Sequence, residues 1–146
     1  MSEAASAVAK VDRLHGRRLA IATFRMGDET TTQLGLYITD LFESALAGQP
    51  GTQVMKRATL CQAMRQRKVA LKEQLDPQAA RKSGVLGPSD FLVLGRVVTL
   101  DDTALVTVRI LELESGRAVF TRSINIPMTD ALAQKGEAQV ANGGCG

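Results

Sequence analysis

Residues 91–127 decide the fold, and they read FLVLGRVVTL DDTALVTVRI LELESGRAVF TRSINIP. Residues 91–98 are apolar at both alternating positions, which predicts a strand that is covered on both faces of a sheet. An aspartate pair then marks a turn, and residues 104–113 and 117–126 alternate in character as strands do. Residues 114–116 supply a second turn, in which the glycine is free to adopt a positive φ. Tight turns require these three strands to pair antiparallel.

The chain before this region alternates helices with strands. Its apolar spacing predicts a helix over residues 3–14, a strand over 19–24, a helix over 34–46, a strand over 52–56, a helical region over 60–75 and a short helix between Asp76 and Gly84. Helical connections between early strands favour parallel pairing. We therefore predict an α/β fold with one mixed sheet of about five strands, parallel in its first half and ending in antiparallel hairpins, packed by helices.

Three local signals surround the predicted helix over residues 34–46. Thr30 and Gln33 have the spacing of a capping box at its start. Gly48 is predicted to end it in the left-handed conformation. Gly35, inside the helix, marks a close approach to a strand.

The length of 146 residues suits a single globular domain. We divide the chain into a leading amphipathic helix (residues 1–15), one α/β domain (residues 16–128) and a C-terminal helix with a Gly-rich tail (residues 129–146). Hydrophobic residues make up 45% and charged residues 23%, which excludes a disordered chain. Aromatic residues make up 3%, which disfavours proteins that stack nucleobases or sugar rings.

The sequence lacks the side chains that most catalytic and metal sites need. One histidine and two cysteines do not supply the four ligands of a structural zinc site, and no segment approaches the roughly 20 apolar residues of a transmembrane helix. His15 has no nucleophile beside it, and the turn carboxylates Asp101 and Asp102 are interpreted as structural. Asp28 and Glu29 either hold a cation or favour a helix N-terminus. We predict no catalytic, cofactor or metal site and no enzymatic activity.

Two cysteines are too few to indicate an oxidising compartment, so free thiols are expected at Cys61 and Cys145, with a disulfide as the alternative. Cys61 has Arg57 and Arg65 one helical turn away on either side, which either lowers the thiol pKa or simply accompanies a buried small residue. Residues 1–15 carry charges and lack the apolar centre of a signal peptide. The chain is therefore cytoplasmic, or an export signal is absent from this sequence.

The net charge of +3 is unevenly distributed. Residues 56–82 contain eight Lys or Arg against two acidic residues. This segment is interpreted as a solvated helix face or as a surface for nucleic acid, anionic lipid or an acidic protein. The candidate partner-binding residues are Arg65, Arg67, Lys68, Lys72, Arg81 and Lys82.

Four segments resemble a known family. They are VMKRATL (54–60), DPQAA (76–80), SDFLVLGRV (89–97) and VRILELESGR (108–117). In this order they resemble the domain shared by the flagellar assembly lipoprotein FlgO and the curli secretion lipoprotein CsgG. The penicillin-binding-protein activator LpoB and the N-terminal domain of TolB are similar in plan.

The resemblance implies structural roles for five positions. Arg57 precedes a helix, Asp90 opens a strand that reaches Gly95, and Arg109 lies on a strand leading to a turn at Gly116. Gly95 is expected to allow a close backbone contact, and Arg57 is expected to pair with Asp90 across the strand ends. The lipobox cysteine and the long inserted hairpins of the curli channel are absent, so lipid anchoring and pore formation are not implied.

The resemblance implies a non-enzymatic bacterial cell-envelope domain, periplasmic or outer-membrane associated. It would bind other envelope proteins, or a second copy as a homo-oligomer, and assist assembly of a surface structure: the flagellum, or the curli or peptidoglycan machinery. Two alternatives stay open. One is a cytoplasmic nucleic-acid-binding domain using residues 56–82, which is the less favoured partner class. The other is a small-molecule sensor using the strand ends near Asp28 and Gly87.

Overall fold

The computed structural model describes residues 2–28, 30–67 and 89–128. Their helices are α1 (Ser2–Ala9), a 3-10 turn (Asp12–Leu14), α2 (Gln33–Ala47) and α3 (Arg57–Arg67). Their strands are β1 (Arg18–Ile21), β2 (Arg25–Met26), β3 (Gln53–Met55), β4 (Phe91–Thr99), β5 (Thr103–Glu112) and β6 (Ala118–Pro127). The predicted helices over 77–83 and 129–140, the Gly-rich tail and Glu29 lie outside the described residues.

The strands form one mixed sheet in the order β3-β1-β4-β5-β6, with the two-residue β2 beside β4. β1 pairs parallel with β3 and β4, whereas β4 pairs antiparallel with β5 and β5 with β6. The predicted α/β fold and its pairing directions are therefore confirmed. β2 is an addition: the strand predicted over 19–24 ends at Ile21, and the chain rejoins the sheet at Arg25.

Helices α1 and α2 cover one face of the sheet. This face carries the larger core cluster, which includes Leu19, Ile21, Val93, Val106, Val108 and Ile110 from the strands and Ala5, Val8, Leu34, Ile38, Phe42 and Leu46 from the helices. The leading helix is shorter than predicted and packs into this core. Its Glu3 also pairs with Arg122 of β6 at 2.6 Å.

Helix α3 covers part of the opposite face. Its Leu60 is buried in a smaller cluster with Ala20, Ala22, Leu92 and Leu113. These residues lie toward the end of the sheet formed by β3, β1 and the start of β4. Leu111, the register partner of Leu92, is also buried on this face, and the other described residues of the face are polar or only partly buried.

Phe24 links the sheet to α2. Its ring lies 5.7 Å from that of Phe42, and its backbone N–H donates to Thr39 Oγ1 at 2.9 Å. A Cβ at Gly35 would lie 2.8 Å from the Phe24 carbonyl oxygen, so the predicted close approach of Gly35 to the strand region is confirmed. A Cβ at Gly95 would overlap the Phe24 ring. Gly95 therefore makes room for an aromatic side chain, whereas the sequence analysis predicted a close contact with backbone.

The ends of α2 differ from the predicted ones. Thr32 caps the helix by accepting from the Gly35 N–H at 3.1 Å, whereas Thr30 bonds to Asp28. Three consecutive threonines offer the same cap, so the spacing rule alone does not select one of them. Gly48 has φ −79° and is not left-handed; Gly51, in the following turn, has φ +79°.

The hairpin turn between β5 and β6 follows the prediction. Gly116 has φ +73°, and its N–H donates to the Glu112 carbonyl at 2.7 Å. A glycine is favoured here because other residues rarely adopt this φ. The described helices include none with the length and apolar character needed to cross a bilayer.

Candidate functional site

The basic segment is only partly described. Arg65 is exposed on α3, and Arg67 is the last residue of that helix. Lys68, Lys72, Arg81 and Lys82 lie outside the described residues. Their proposed role in partner binding therefore stays a prediction.

Arg57 is engaged in a contact that the sequence did not predict. Its Nε lies 3.2 Å from Asp40 Oδ1 of α2, and its backbone N–H donates to Glu43 Oε2 at 2.7 Å. Asp90 instead joins β1: its N–H donates to the Arg18 carbonyl at 2.9 Å. The predicted Arg57–Asp90 pair is wrong. Arg57 follows the carboxyl end of β3, whereas Asp90 precedes the amino end of β4, and parallel strands place these ends on opposite edges.

A double-mutant cycle tests this assignment. We expect Arg57→Ala and Asp40→Ala to couple by about 0.5–1 kcal/mol in urea unfolding, because Asp40 is half exposed and solvent screens the pair. Arg57→Ala and Asp90→Ala should be additive. Coupling to Asp90 and none to Asp40 would restore the earlier pairing.

One cavity lies beside Asp90 and contains both arginines and carboxylates. It has a volume of about 350 Å³ and is lined by Arg13, Arg17, Ser89, Asp90, Glu112 and Glu114. Arg13 Nη2 contacts Glu112 Oε2 at 2.6 Å. Hydrogen bonds from Ser115 and then Arg13 lower the pKa of Glu112. Two arginines against three carboxylates give the described lining a formal charge of −1, so this cavity is not suited to an anionic ligand.

A second cavity, the three-arginine cavity, lies on the partly covered face of the sheet. It has a volume of about 450 Å³ and is lined by Arg25, Arg96, Arg109, Thr107, Leu94 and Gly95. Arg25 is the register partner of Arg96, Arg96 of Thr107, and Leu94 of Arg109. Register partners on adjacent strands project to the same face. Three strands thus bring three guanidinium groups to one place.

The lining of this cavity is positively charged. None of its described lining residues is acidic. Within residues 2–28, 30–67 and 89–128, Arg96 and Arg109 are exposed and take part in no ion pair, whereas Arg13, Arg57 and Arg122 do. Like charges on neighbouring strands destabilise a sheet. Arg96 and Arg109 are diagonal neighbours on adjacent strands, so their like charges repel each other unless an anion binds there.

The neighbouring surface is apolar. Val98 is 39% exposed and Leu100 is 52% exposed. Val98 lies on the same face of β4 as Arg96, and Leu100 is the first residue after β4. Two exposed apolar residues therefore follow Arg96 along and just after β4.

A third cavity touches the end of the sheet named in the sensor hypothesis. It has a volume of about 180 Å³, and its lining includes Asp28, Thr30, Thr32 and Val98. Hydrogen bonds from the Thr30 side chain and backbone lower the pKa of Asp28. The described residues contain no cluster of three His, Cys, Asp or Glu side chains suited to a metal. Gly87, the other residue of that hypothesis, lies outside the described residues.

The sequence analysis assigned Arg109 a structural role and did not single out Arg25 or Arg96. A signal for two of the three was present. Arg96 and Arg109 occupy the central strand and its hairpin partner, and the hairpin register would have put them on one face. Arg25 joins them through the unpredicted strand β2.

Solved structures share this fold, although no family model and no curated protein matches the chain. The LpoB C-terminal domain from Salmonella enterica has a TM-score of 0.65 at 12% identity, over 87% of this chain and 95% of that chain. The chain has the fold of the LpoB C-terminal domain. The NMR structure of Escherichia coli LpoB gives a TM-score of 0.68 at 11% identity, over 87% of this chain and 65% of that chain.

A lipoprotein has the same architecture. GNA1162 from Neisseria meningitidis gives a TM-score of 0.60 at 12% identity, over 79% of this chain and 83% of that chain. These identities establish the LpoB-like fold alone. Membership of the FlgO and CsgG family stays a prediction.

Within the LpoB-like fold, Cys61 is 4% exposed and disulfide-bonded. The expectation of a free thiol at this position is wrong. Counting cysteines does not reveal which of them the fold brings within bonding distance. Cys145 lies outside the described residues.

The disulfide predicts the reactivity of Cys61. In protein purified without reductant, Cys61 should resist alkylation even after unfolding and become reactive only once a reductant is added. Peptide mass spectrometry measures this. An alkylated Cys61 in the unreduced, unfolded protein would contradict the disulfide.

Proposed function

We propose that the chain is a non-enzymatic protein-interaction domain of the bacterial cell envelope that binds another envelope protein during assembly of an envelope structure. The observation that carries this proposal is the match of nearly the whole LpoB C-terminal domain to this chain. The similar fold of a lipoprotein supports the placement in the envelope.

The disulfide at Cys61 supports the same compartment. Disulfides persist in the periplasm and are reduced in the cytoplasm. The proposal therefore expects an exported protein.

The polar contacts of the described residues are structural in kind. Ser115 Oγ donates to Glu112 Oε1 at 2.8 Å within a turn, and Thr30 Oγ1 donates to Asp28 Oδ1 at 2.6 Å before α2. Both are short-range bonds of the type that shape turns. These bonds serve the fold.

Cell fractionation tests the placement. The full-length gene product, carrying an epitope tag, is produced in the source bacterium, and its protease sensitivity is compared in intact cells and in spheroplasts. We expect digestion in spheroplasts together with a periplasmic marker, while a cytoplasmic marker stays protected. A product found only in the cytoplasm would overturn the proposal.

A separate question is which envelope structure the protein helps to assemble. Of the structures that the resemblance implies, similarity to LpoB favours the peptidoglycan machinery over the flagellum and curli. Deleting the gene should therefore change cell-wall synthesis, measured by incorporation of labelled precursors, and leave motility and curli production unchanged. Loss of motility alone would favour the flagellar role.

Nucleic acid is the alternative partner. Half of the basic segment that would bind it lies outside the described residues, and Arg57 within it pairs with Asp40. We expect no shift of duplex or single-stranded DNA at low salt. Salt-sensitive binding that is lost on neutralising Arg65, Arg67 and Lys68 would favour this alternative.

A further inference from the structure

The three-arginine cavity differs from the other two cavities in its charge. The cavity beside Asp90 contains three carboxylates, and the smallest one contains Asp28. The three-arginine cavity combines three guanidinium groups with Thr107 and has no acidic residue among its described lining. It is therefore suited to bind an anionic group.

The spacing of the arginines suits more than one carboxylate. Arg25 and Arg96 lie on adjacent strands, whose backbones are about 4.8 Å apart. Arg96 and Arg109 are diagonal neighbours, at about 7 Å. A guanidinium group binds a carboxylate through two parallel hydrogen bonds. Alternate acidic side chains of one extended segment lie on the same side about 6.7 Å apart, which matches the spacing of Arg96 and Arg109.

Exposed apolar residues near Arg96 favour a peptide over a small anion as the ligand of the three-arginine cavity. Val98 is 39% exposed and lies two residues from Arg96 along β4, and Leu100, which follows the strand, is 52% exposed. A free phosphate or a single carboxylic acid would leave both exposed to water. A polypeptide with acidic and apolar residues would bury them and neutralise the arginines together.

We infer that the three-arginine cavity binds an acidic segment of a partner protein, with apolar side chains of the same segment packing on Val98 and Leu100. This inference rests on the proposed function, because it names the chemistry of the partner. Arg96 and Arg109 provide the main recognition, since neither takes part in an ion pair within residues 2–28, 30–67 and 89–128.

Selection from a random peptide library tests the inference on the purified full chain. The target is the wild type, and each selected peptide is counter-screened against a double variant, Arg96→Gln with Arg109→Gln. A second double variant, Arg17→Gln with Arg117→Gln, removes the same charge from exposed arginines elsewhere. We expect peptides retained by the wild type and by this control, but lost by the first variant, to be rich in Asp and Glu beside apolar residues.

Fluorescence anisotropy then measures the selected consensus peptide. Its Kd should rise at least about tenfold for Arg96→Gln with Arg109→Gln and less than about twofold for the control. Val98→Ser with Leu100→Ser should also raise the Kd. The Arg96→Gln, Arg109→Gln variant should be at least as stable as the wild type, because like-charge repulsion is relieved.

Three outcomes would overturn the inference. The first is that the selected peptides are not acidic. The second is that both double variants lose the peptides equally. The third is that duplex DNA or phosphatidylglycerol vesicles bind through Arg96 and Arg109 while acidic peptides do not. None of these depends on the compartment of the protein. A cytoplasmic location would instead overturn the proposed function and leave the peptide result standing.

Discussion

Replacing Phe24 with alanine should lower the free energy of unfolding by about 3–5 kcal/mol, the range measured for buried aromatic residues. The ring is fully buried and contacts the Phe42 ring. It also occupies the space that Gly95 leaves on β4, so its removal opens a cavity between α2 and the sheet. Urea unfolding followed by circular dichroism measures the loss. Leu41→Ala, at a side chain 38% exposed, is the control and should cost under about 1 kcal/mol.

Gly95 should couple to Phe24. A methyl group at position 95 overlaps the ring, and we expect Gly95→Ala alone to cost about 1–3 kcal/mol through overpacking. In the Phe24→Ala background the same substitution should cost much less, because the methyl group then occupies vacant space. Gly116→Ala is the matched control. Its cost comes from a positive φ with no atom nearby, and it should add to that of Phe24→Ala. Additive losses for Gly95 would contradict the contact.

The second large effect is expected at Thr39. Its hydroxyl accepts from the Phe24 N–H at 2.9 Å and donates to the Gly35 carbonyl at 2.7 Å, and it is fully buried. Valine has the same shape and lacks the hydroxyl, so Thr39→Val should cost about 1–3 kcal/mol by leaving the Phe24 N–H unsatisfied.

Thr39→Ser separates the hydrogen bond from packing. Serine keeps the hydroxyl and loses one methyl group, so its cost should stay near 1 kcal/mol. Chemical denaturation of both variants gives the comparison. A loss for serine with none for valine would mean that the methyl group, and not the hydroxyl, stabilises this position.

The Phe24 anchor also bears on the three-arginine cavity. β1 ends at Ile21, and the chain enters the core at Phe24 before β2 begins at Arg25. The hydrogen bond that the Phe24 N–H donates to Thr39 therefore holds the residue immediately before Arg25. This is how a buried contact on one face of the sheet positions a charged side chain on the other.

The sequence predicted the central strand, the hairpins and the direction of pairing because these depend on neighbouring residues. Alternation along β5 and the glycine at 116 act within a few positions of the features they specify. The parallel pairing of β1 followed from the helix that separates it from the next strand.

The wrong predictions each involved a choice between remote or equivalent partners. Several carboxylates could have paired with Arg57. Asp90 is excluded because it lies at the opposite end of the parallel strands, and the observed partner is Asp40. Thr32 was one of three adjacent threonines with the same capping chemistry. The disulfide at Cys61 depends on chain segments whose proximity no local pattern encodes.

The amino-acid sequence by itself determined the kind and order of the elements, because helical and strand periodicities and turn residues act over a few positions. Only the tertiary structure decided that Arg25, Arg96 and Arg109 meet in one cavity and that Phe24 fills the space between Gly35 and Gly95. Those contacts require the order of strands in the sheet and the register between them, which are set by the packing of the whole core.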